Sequence, residues 1–352
     1  MTPVERLALR ARFSVAQAAR VGWYASQSLA ATRLASKVGR TLPPVPKPTI
    51  AAPAGVPPRA VLLREVRALL ARDLANVEAG LYPMPHDEPE GIAGLFEQRA
   101  RYLRDVPEIV RRRAEGAHQE VDRSEGKRPR YYMQNFHFQT DGWMSEESAR
   151  LYETQVETLF FGAAAAMRRQ ALVPVAERAA EVDQRTLRLL DVASGSGAFL
   201  RDLATAFPRL PVIASDLSEP YVELARGRLN PAARGGAVVA PAERLPFADG
   251  SFDILTNIYL FHELPPKVRP LVAAEFARVL KPGGRAVVVD SLQSGDTPLL
   301  DGLLELFPQM FHEPYYRSYL TTDFDQLFAA AGLEVEASWS AFVSKVFVLR
   351  RV

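Results

Sequence analysis

The chain has 352 residues, of which 48% are hydrophobic and 24% charged, a composition typical of a globular protein with room for two domains. Its formal net charge of +2 gives no reason to expect a nucleic-acid partner. The absence of cysteine excludes disulfides, thiolate nucleophiles and thiolate metal sites. The histidines have none of the sequence spacings typical of metal ligands, so we expect no metal site.

The first 40 residues are strongly basic, with seven arginines and lysines but a single acidic residue, Glu5. Apolar residues lie between these charges, so the segment can form either a basic amphipathic helix on a membrane surface or an ordinary surface helix. An acid-poor segment of this kind also resembles an organelle transit peptide. Because we find no apolar run as long as a membrane span and no secretory signal, we predict a cytoplasmic protein, with peripheral membrane contact through residues 1–40 as the open alternative.

Three regions follow one another along the chain. Residues 1–58 are predicted to form the basic helix and a proline-rich linker, because clustered prolines cannot sustain a helix or a central strand. Residues 59–150 are predicted to form a helical cap region that contains an aromatic segment, 131–143. Residues 151–352 form the third region, and an apolar and aromatic insertion at 291–320 is expected to cap its ligand site.

Helix boundaries in the cap region follow from local signals. Arg59–Ala79 has apolar residues at helical spacing, and Gly80 stands where a C-cap glycine belongs. Ser145 is a good N-cap with acidic residues after it, which predicts a helix that continues to about Arg169.

From Leu187 onward, short runs of β-forming residues alternate with helical segments, a pattern typical of a parallel sheet with right-handed crossovers. The last two runs are almost contiguous, so they should pair as an antiparallel hairpin. The predicted fold class is therefore α/β: a Rossmann-like seven-stranded, mostly parallel sheet with a C-terminal antiparallel hairpin, preceded by a helical N-terminal region. The predicted strands are Leu187–Ala193, Val212–Asp216, Ala237–Pro241, Phe252–Asn257, Gly284–Asp290, Leu333–Trp339 and Ala341–Leu349.

The strongest functional signal is an apolar strand that enters a glycine-containing loop and is followed at once by a helix. Gly195 and Gly197 allow a tight turn and a close approach to a ligand, while the helix N-terminus offers free N–H groups. Asp216 ends the next predicted strand, where a carboxylate can accept hydrogen bonds from both ribose hydroxyls. Ala242 and Glu243 follow the third strand, where an adenine edge would lie. The pattern predicts a ligand that contains a nucleoside.

A nicotinamide dinucleotide is the competing ligand, and one position argues against it. The dinucleotide motif needs a third glycine for close helix packing, and Leu200 occupies that place. No lysine follows the loop in the pattern of a nucleotide triphosphate site either.

With these motifs the sequence resembles the class I S-adenosylmethionine-dependent methyltransferases, especially the C-methyltransferases of ubiquinone and menaquinone biosynthesis. The resemblance covers about residues 150–352, and the family's D-x-G-x-G-x-G loop corresponds to Asp191–Gly197, with Ala193 in place of the first glycine. It implies S-adenosylmethionine as the cofactor. The residues it assigns to the methionine moiety and ribose are Asp191, Ala193, Ser194, Gly195, Gly197 and Asp216; those assigned to the adenine are Leu217, Ala242 and Glu243; and those assigned to the reacting methyl are Asn257 and Tyr259.

The methyl acceptor is predicted to be a small molecule that is hydrophobic or aromatic and quinone-like, because the insertion 291–320 is rich in leucine and aromatic residues. Tyr131, Tyr132, Phe138 and Trp143 are expected to complete its wall. A base helps when the acceptor is a hydroxyl or an enol-like carbon, and His262, Glu263 and His137 are the candidate catalytic residues by position. Each of the two histidines has a purely structural role as its alternative.

Two other functions stay open. One is O- or N-methylation of a polar metabolite, and the other is a module that binds the cofactor without turnover. The sequence gives no oligomeric state.

Overall fold

The computed structural model describes residues 1–86, 91–117 and 128–352, and within them seven strands form one sheet. The strands are β1 (Leu189–Val192), β2 (Val212–Asp216), β3 (Gly236–Val239), β4 (Phe252–Ile258), β5 (Leu280–Ser291), β6 (Leu333–Ala341) and β7 (Ser344–Arg351). Each of the seven predicted runs corresponds to one of them, with boundaries that differ by a few residues.

The sheet has the order β3-β2-β1-β4-β5-β7-β6. Strands β1 to β5 pair in parallel, whereas β7 pairs antiparallel with both β5 and β6. This confirms the predicted fold class, including the C-terminal hairpin. Strand β2 lies on one side of β1 and strand β4 lies on the other, so the direction of the strand order reverses at β1. The carboxyl ends of β1, β2 and β4 surround this topological switch point, where ligands bind in open α/β sheets.

The helices cover both faces of the sheet and form the N-terminal region. They are α1 (Pro3–Gly39), α2 (Arg59–Glu78), α3 (Gly91–Glu115), α4 (Glu146–Leu159), α5 (Ala164–Arg169), α6 (Leu172–Glu181), α7 (Ala198–Ala206), α8 (Glu219–Arg226), α9 (Arg269–Val279), α10 (Asp301–Met310), α11 (Tyr316–Tyr319) and α12 (Phe324–Ala330). Two 3₁₀ turns, Phe136–Phe138 and Phe261–Glu263, bring side chains to the switch point. No helix in the described ranges is long and apolar enough to cross a membrane.

Helix α1 is 37 residues long and begins with a capping box in which Thr2 and Glu5 satisfy each other's backbone N–H groups. Its buried residues recur every three or four positions, which is the spacing of one helix face. That face packs against α3 and α4. The buried residues are Phe13, Gln17, Arg20, Tyr24, Gln27 and Ala31.

The segment after Ser145 departs from the prediction of one helix to about Arg169. Helix α4 has the predicted Ser145 N-cap but ends at Leu159, and the chain then adopts left-handed φ values at Phe161 (54°) and Gly162 (79°). A Cβ at Gly162 would lie 3.0 Å from side-chain atoms of both Arg20 and Tyr24. The helix therefore ends at a glycine that adopts the left-handed conformation, and α1 packs against this turn.

The proline-rich stretch between α1 and α2 has no helix or strand, as predicted, but it packs on the insertion. Thr49 N donates to Gln309 Oε1 over 2.9 Å, and Ala51 N donates to Glu305 Oε2 over 2.6 Å. The contact with α10 is so close that a Cβ at Gly302 would lie 1.9 Å from the carbonyl oxygen of Gly55. The linker thus joins the N-terminal helices to the insertion.

Candidate active site

The carboxyl ends of β1, β2 and β4 open into a cavity of about 1170 Å³, its mouth included, which we call the first cavity. The loops after these strands supply one side of its wall, and the N-terminal region supplies the other. Its strand-end residues include Asp191, Ala193, Ser194, Gly195, Ser196, Asp216, Leu217, Ala242, Glu243, Tyr259 and Glu263. Its residues from the N-terminal region and its helices include Tyr131, Tyr132, Phe136, Trp143, Tyr152, Glu153 and Arg168.

The loop after β1 turns through three left-handed residues, Ala193 (φ 56°), Gly195 (φ 54°) and Gly197 (φ 80°). A Cβ at Gly195 would meet no atom within 4 Å, so this glycine leaves open space beside the loop. A Cβ at Gly197 would lie 2.8 Å from Cα of Ala225, which explains this glycine by the packing of α7 against α8. Gly197 does not line the cavity, and its contact with the cofactor stays a prediction.

Asp191 lies at the end of β1 and is only 2% exposed. Burial raises the pKa of its carboxyl to about 7, although the hydroxyl groups of Thr256 and Ser194 oppose this shift. Thr256 Oγ1 donates to Asp191 Oδ1 over 2.6 Å. A buried carboxyl with this pKa at the base of a cavity responds strongly to any cation placed beside it.

Asp216 ends β2, as predicted, and its carboxylate is held in place by the backbone. Oδ2 accepts a hydrogen bond from Gly195 N and Oδ1 accepts one from Ser218 N, both over 2.9 Å. Burial raises the pKa of Asp216 and these N–H groups oppose the shift. Because each carboxylate oxygen has a second lone pair, the group can still accept two hydrogen bonds from a ligand in the cavity.

Glu243 and Ala242 line the same cavity after β3. Tyr131 Oη donates to Glu243 Oε1 over 2.7 Å. Glu243 Oε2 is buried and has no hydrogen-bond partner within the described part of the chain. A buried acceptor of this kind is costly unless a ligand supplies a donor, such as an amino group.

Asn257 does not line the first cavity, although it was predicted to face the reacting methyl. It is fully buried in β4, and its Nδ2 donates to the carbonyl oxygen of Val192 over 2.8 Å. Its position therefore ties β4 to β1. Tyr259, two residues later, does line the cavity, and its φ of 59° marks the turn that leaves the strand.

Sequence reasoning missed a charged group in the wall of the first cavity. Arg168 is 8% exposed, and its Nε has no hydrogen-bond partner among the described residues, while another nitrogen donates to Glu157 Oε1 over 2.7 Å. Glu153 lies beside it, and its pKa is lowered to about 2 because nearby arginines outweigh the effect of burial. Two arginines directly after an alanine-rich run were the available signal.

The aromatic segment 131–143 lies along the first cavity, although its aromatic residues were predicted to complete the acceptor wall. Trp143 stacks on Phe136 with ring centroids 4.3 Å apart, and Tyr132 lies against Trp143 at 5.5 Å. Tyr131, Tyr132 and Trp143 line the first cavity, whereas Phe138 lines neither it nor the larger cavity beside it.

That larger cavity, of about 1760 Å³ with its mouth, is called the second cavity. It lies between α1, α4 and the insertion 291–320, and its wall is mainly apolar and aromatic. The insertion contributes Leu303, Leu304, Phe307, Phe311 and Tyr316. Tyr152, Val156, Tyr259 and Glu263 line both cavities, so the two share a wall.

A cluster of histidines and carboxylates lies at this shared wall. His262 Nδ1 is 2.5 Å from Asp290 Oδ1, while Asp290 Oδ2 accepts hydrogen bonds from the backbone of Leu260 and Phe261. Burial alone would lower the pKa of His262, but the adjacent Asp290 carboxylate raises it to about 9. Burial raises the pKa of Glu263 well above its ordinary value; His262 opposes this shift and Glu313 adds to it.

His137 joins the cluster from the aromatic segment. Its Nε2 contacts Glu313 Oε1 and lies 4.0 Å from Glu263 Oε1. The backbone N–H of His137 donates to the carbonyl oxygen of His312 over 3.2 Å, and its φ of 58° is left-handed. The three candidate catalytic residues therefore lie together, with Asp290 and Glu313 as partners that the sequence did not indicate.

Part of the chain is similar in sequence to known methyltransferases. Residues 189–284 match the family model of a methyltransferase domain. A ubiquinone/menaquinone biosynthesis C-methyltransferase, UbiE, of Geotalea uraniireducens is 36% identical over 129 residues, which are 36% of this chain and 51% of that protein. A demethylmenaquinone methyltransferase of Thermus thermophilus is 35% identical over 150 residues, which are 42% of this chain and 64% of that protein.

Among solved structures, magnesium protoporphyrin IX methyltransferase (ChlM) from Synechocystis PCC 6803 is 16% identical, with a TM-score of 0.42, over 54% of this chain and 85% of that one. The chain spans about half the length of the curated relatives it matches. The matched residues include the loop after β1, Asp216 and the strands that form the switch point. Residues 189–284 are therefore similar to a methyltransferase domain, and part of the chain is similar in sequence to the quinone-biosynthesis C-methyltransferases.

Proposed function

We propose that this protein transfers a methyl group from S-adenosylmethionine, bound in the first cavity, to a hydrophobic or aromatic small molecule bound in the second. The observation that carries the proposal is the shared wall of Tyr152, Val156, Tyr259 and Glu263. A ligand in one cavity would meet a ligand in the other there.

The residues of the first cavity fit the cofactor. Asp216 would accept hydrogen bonds from the ribose hydroxyls, and the free Oε2 of Glu243 would accept one from the adenine amino group. The unused Nε of Arg168 would pair with the cofactor's carboxylate. Leu217 and Ala242 would contact the adenine ring, and the loop Ala193–Gly195 would lie along the methionine moiety and ribose.

In this mechanism the protein mainly aligns the acceptor with the methyl group and the sulfur of the cofactor. The bound sulfonium supplies an activated methyl group, and transfer is an in-line displacement, so proximity and orientation account for much of the acceleration. Tyr259 is positioned for this because its hydroxyl is 2.7 Å from Ser344 Oγ, which fixes the ring at the shared wall. His262, Glu263 and His137 are the proposed catalytic residues, since they lie where an acceptor's polar end would meet the methyl group.

The acceptor class follows from the second cavity. Its wall of leucine, phenylalanine and tyrosine side chains favours an apolar ring or chain, and its charged groups lie at the end shared with the first cavity. A quinol or phenol has this distribution of polarity. Two relatives are named for the methylation of quinones, which supports the same choice.

Label transfer tests the proposal. The protein is incubated with methyl-labelled S-adenosylmethionine and matched acceptors: a naphthoquinol with an apolar chain, a simple catechol, and a polar amine. We expect label in the naphthoquinol first, and mass spectrometry to show where it is attached. Label in the polar amine alone would favour a methyltransferase of polar metabolites. Tight calorimetric binding of the cofactor, without label in these acceptors or in a cell extract, would favour the module without turnover.

We also propose that α1 contacts an anionic membrane surface, from which an apolar acceptor could be drawn. Val4, Leu7, Val15 and Leu29 are 51–77% exposed and are separated by nearly whole helical turns, so they lie along one side of a helix that also carries arginines. Co-sedimentation with vesicles that contain phosphatidylglycerol tests this. The Leu7→Glu and Val15→Glu double variant should lose it, and equal sedimentation of both proteins would contradict the proposal.

A further inference from the structure

We infer that the cluster at the shared wall is a binding site for a divalent first-row transition-metal ion, with His137, Glu263 and Glu313 as its ligands. The site itself depends only on the geometry of this chain. Its use, to hold an oxygen atom of the acceptor beside the reacting methyl, rests on the proposed function.

The positions of the potential ligand atoms agree with such a site. One nitrogen of His137 and one oxygen each of Glu263 and Glu313 lie within 4.8 Å of one another. Atoms that share an ion at about 2.1 Å lie roughly 3–3.5 Å apart, so small side-chain adjustments would suffice. The three residues come from separate segments, namely the two 3₁₀ turns and the loop before α11. For this reason the sequence-based expectation of no metal, which used histidine spacing, could not detect them.

The two carboxylates have few partners for their degree of burial, although Glu313 Oε1 contacts His137 Nε2. The Glu313 side chain is fully buried, and its Oε2 has no hydrogen-bond partner in the described ranges. Glu263 is 8% exposed, and its Oε1 lies 3.7 Å from His262 Nε2 and 4.0 Å from His137 Nε2, both beyond hydrogen-bond distance. Two buried carboxylates side by side are costly unless a positive charge lies between them. A bound cation supplies that charge.

His262 provides a further feature of metal sites. A metal-binding histidine usually directs its other ring nitrogen to a carboxylate, which fixes the orientation of the ring. Here His262 Nδ1 contacts Asp290, whose oxygens are held by three backbone N–H groups, and Nε2 is directed toward Glu263. His262 therefore supports Glu263 from outside the ligand set.

The donor set indicates the kind of ion. Imidazole nitrogen with carboxylate oxygen, and no thiolate, suits Mn²⁺, Fe²⁺, Co²⁺ or Zn²⁺ better than Ca²⁺ or Mg²⁺, which prefer oxygen ligands alone. Glu263 lines both cavities, and His137 lines the second. An ion held by them would have its open positions toward the acceptor and would favour acceptors with a hydroxyl or a pair of adjacent oxygens, whose proton a metal makes easier to lose.

The test uses the full-length protein, treated with a chelator and then dialysed. Mn²⁺ alone is titrated into it, and free Mn²⁺ is followed by electron paramagnetic resonance. We expect one saturable site per chain. Glu313→Gln should weaken Mn²⁺ binding by at least about tenfold, because it removes one charged ligand. His137→Asn should do the same while keeping the backbone, since asparagine tolerates a left-handed φ. Glu275→Gln, a partly buried carboxylate paired with Arg278 elsewhere, is the matched control and should bind Mn²⁺ unchanged.

Circular dichroism of each variant shows whether it is folded, and only folded variants are compared. Absence of saturable binding of Mn²⁺, Co²⁺ and Zn²⁺ by the wild-type protein would overturn the inference, as would equal binding by both folded variants. Calorimetry with S-adenosylmethionine and the label-transfer assay, with and without chelator, separate this result from the proposed function. Methyl transfer that persists in chelator refutes the metal's role and leaves the methyltransferase proposal intact.

Discussion

The two cavities share a wall but are built by different means. The first is bounded on one side by strand ends and short loops, which bring carboxylates such as Asp191 and Asp216 to it, and on the other side by aromatic residues of the N-terminal region. The second is bounded by helix α1, helix α4 and the insertion, and it offers mainly apolar and aromatic side chains. The geometry of the strand ends therefore places the polar groups of the first cavity. The shape of the side chains determines which acceptors fit the second cavity.

This difference implies that the cavities respond differently to substitution. Substitutions in the first cavity should change its electrostatics and its backbone strain. They should therefore alter cofactor affinity or protein stability. Changes in the second should act on packing and should alter the choice of acceptor while the cofactor still binds.

The largest expected effect concerns Asp191. Its pKa of about 7 in the folded protein lies above the ordinary value of about 4, so the folded state holds a proton that the unfolded chain has already released. The free energy of unfolding should therefore fall as the pH rises from about 4 to about 7, by up to ~4 kcal/mol from this group. Asp191→Asn has no carboxyl group that titrates at this position, so its stability does not fall in this way. The free energy of unfolding of the variant minus that of the wild type should therefore increase by about 2–4 kcal/mol between pH 4 and pH 8.

Urea denaturation at pH 4.5 and pH 8 measures this difference. Asp249→Asn is the control, because this carboxylate is 77% exposed on its side chain and should show no comparable change. If the free energies of unfolding of the wild type and Asp191→Asn differ by the same amount at both pH values, Asp191 is ionised throughout this pH range.

Asp216→Ala should have the next largest effect, on cofactor binding. Loss of two charge-assisted hydrogen bonds to the ribose should weaken the binding of S-adenosylmethionine by about 1–3 kcal/mol, or roughly 5–150-fold in Kd. Calorimetry measures it, with Asp249→Ala as the control. Unchanged affinity would mean that the ribose does not lie beside the carboxyl end of β2.

The local character of the first cavity explains why so much of it was predictable. The loop Asp191–Gly197 and the strand-ending Asp216 are short patterns whose geometry follows from glycine and from strand direction. The role of Asn257 rested on the family resemblance, and strand position alone does not say whether a fully buried side chain faces a cavity or a neighbouring strand.

For the second cavity, the sequence predicted only that the wall is apolar and aromatic. The insertion's apolar composition indicated its wall, but the contact of His137 with Glu313 joins residues 176 positions apart. The contribution of α1 likewise depends on helix packing across more than 100 residues. Such contacts are set by tertiary structure and leave no local signal.

Phe307→Ala should affect the acceptor rather than the cofactor. The ring of Phe307 lies 5.0 Å from that of Phe311 and 5.1 Å from that of Tyr316 in the wall of the second cavity. Loss of an aromatic contact worth about 0.5–1.5 kcal/mol should lower kcat/KM for an aromatic acceptor by roughly 2–12-fold. The Kd for S-adenosylmethionine should not change. Phe247→Ala removes a partly buried ring outside both cavities and should leave kcat/KM unchanged.

The smallest expected effect tests the backbone strain of the first cavity. Ala193 has a φ of 56°, a left-handed value that costs an ordinary residue about 1–2 kcal/mol, whereas glycine adopts it without penalty. Glycine also loses more conformational freedom on folding, which offsets about 0.5–1 kcal/mol of that gain. Ala193→Gly should therefore raise the free energy of unfolding by about 0–1.5 kcal/mol, measured by urea denaturation. Ala237→Gly, in β3 where φ is not left-handed, should instead lower it, and equal destabilisation by both substitutions would show that the turn at Ala193 is unstrained.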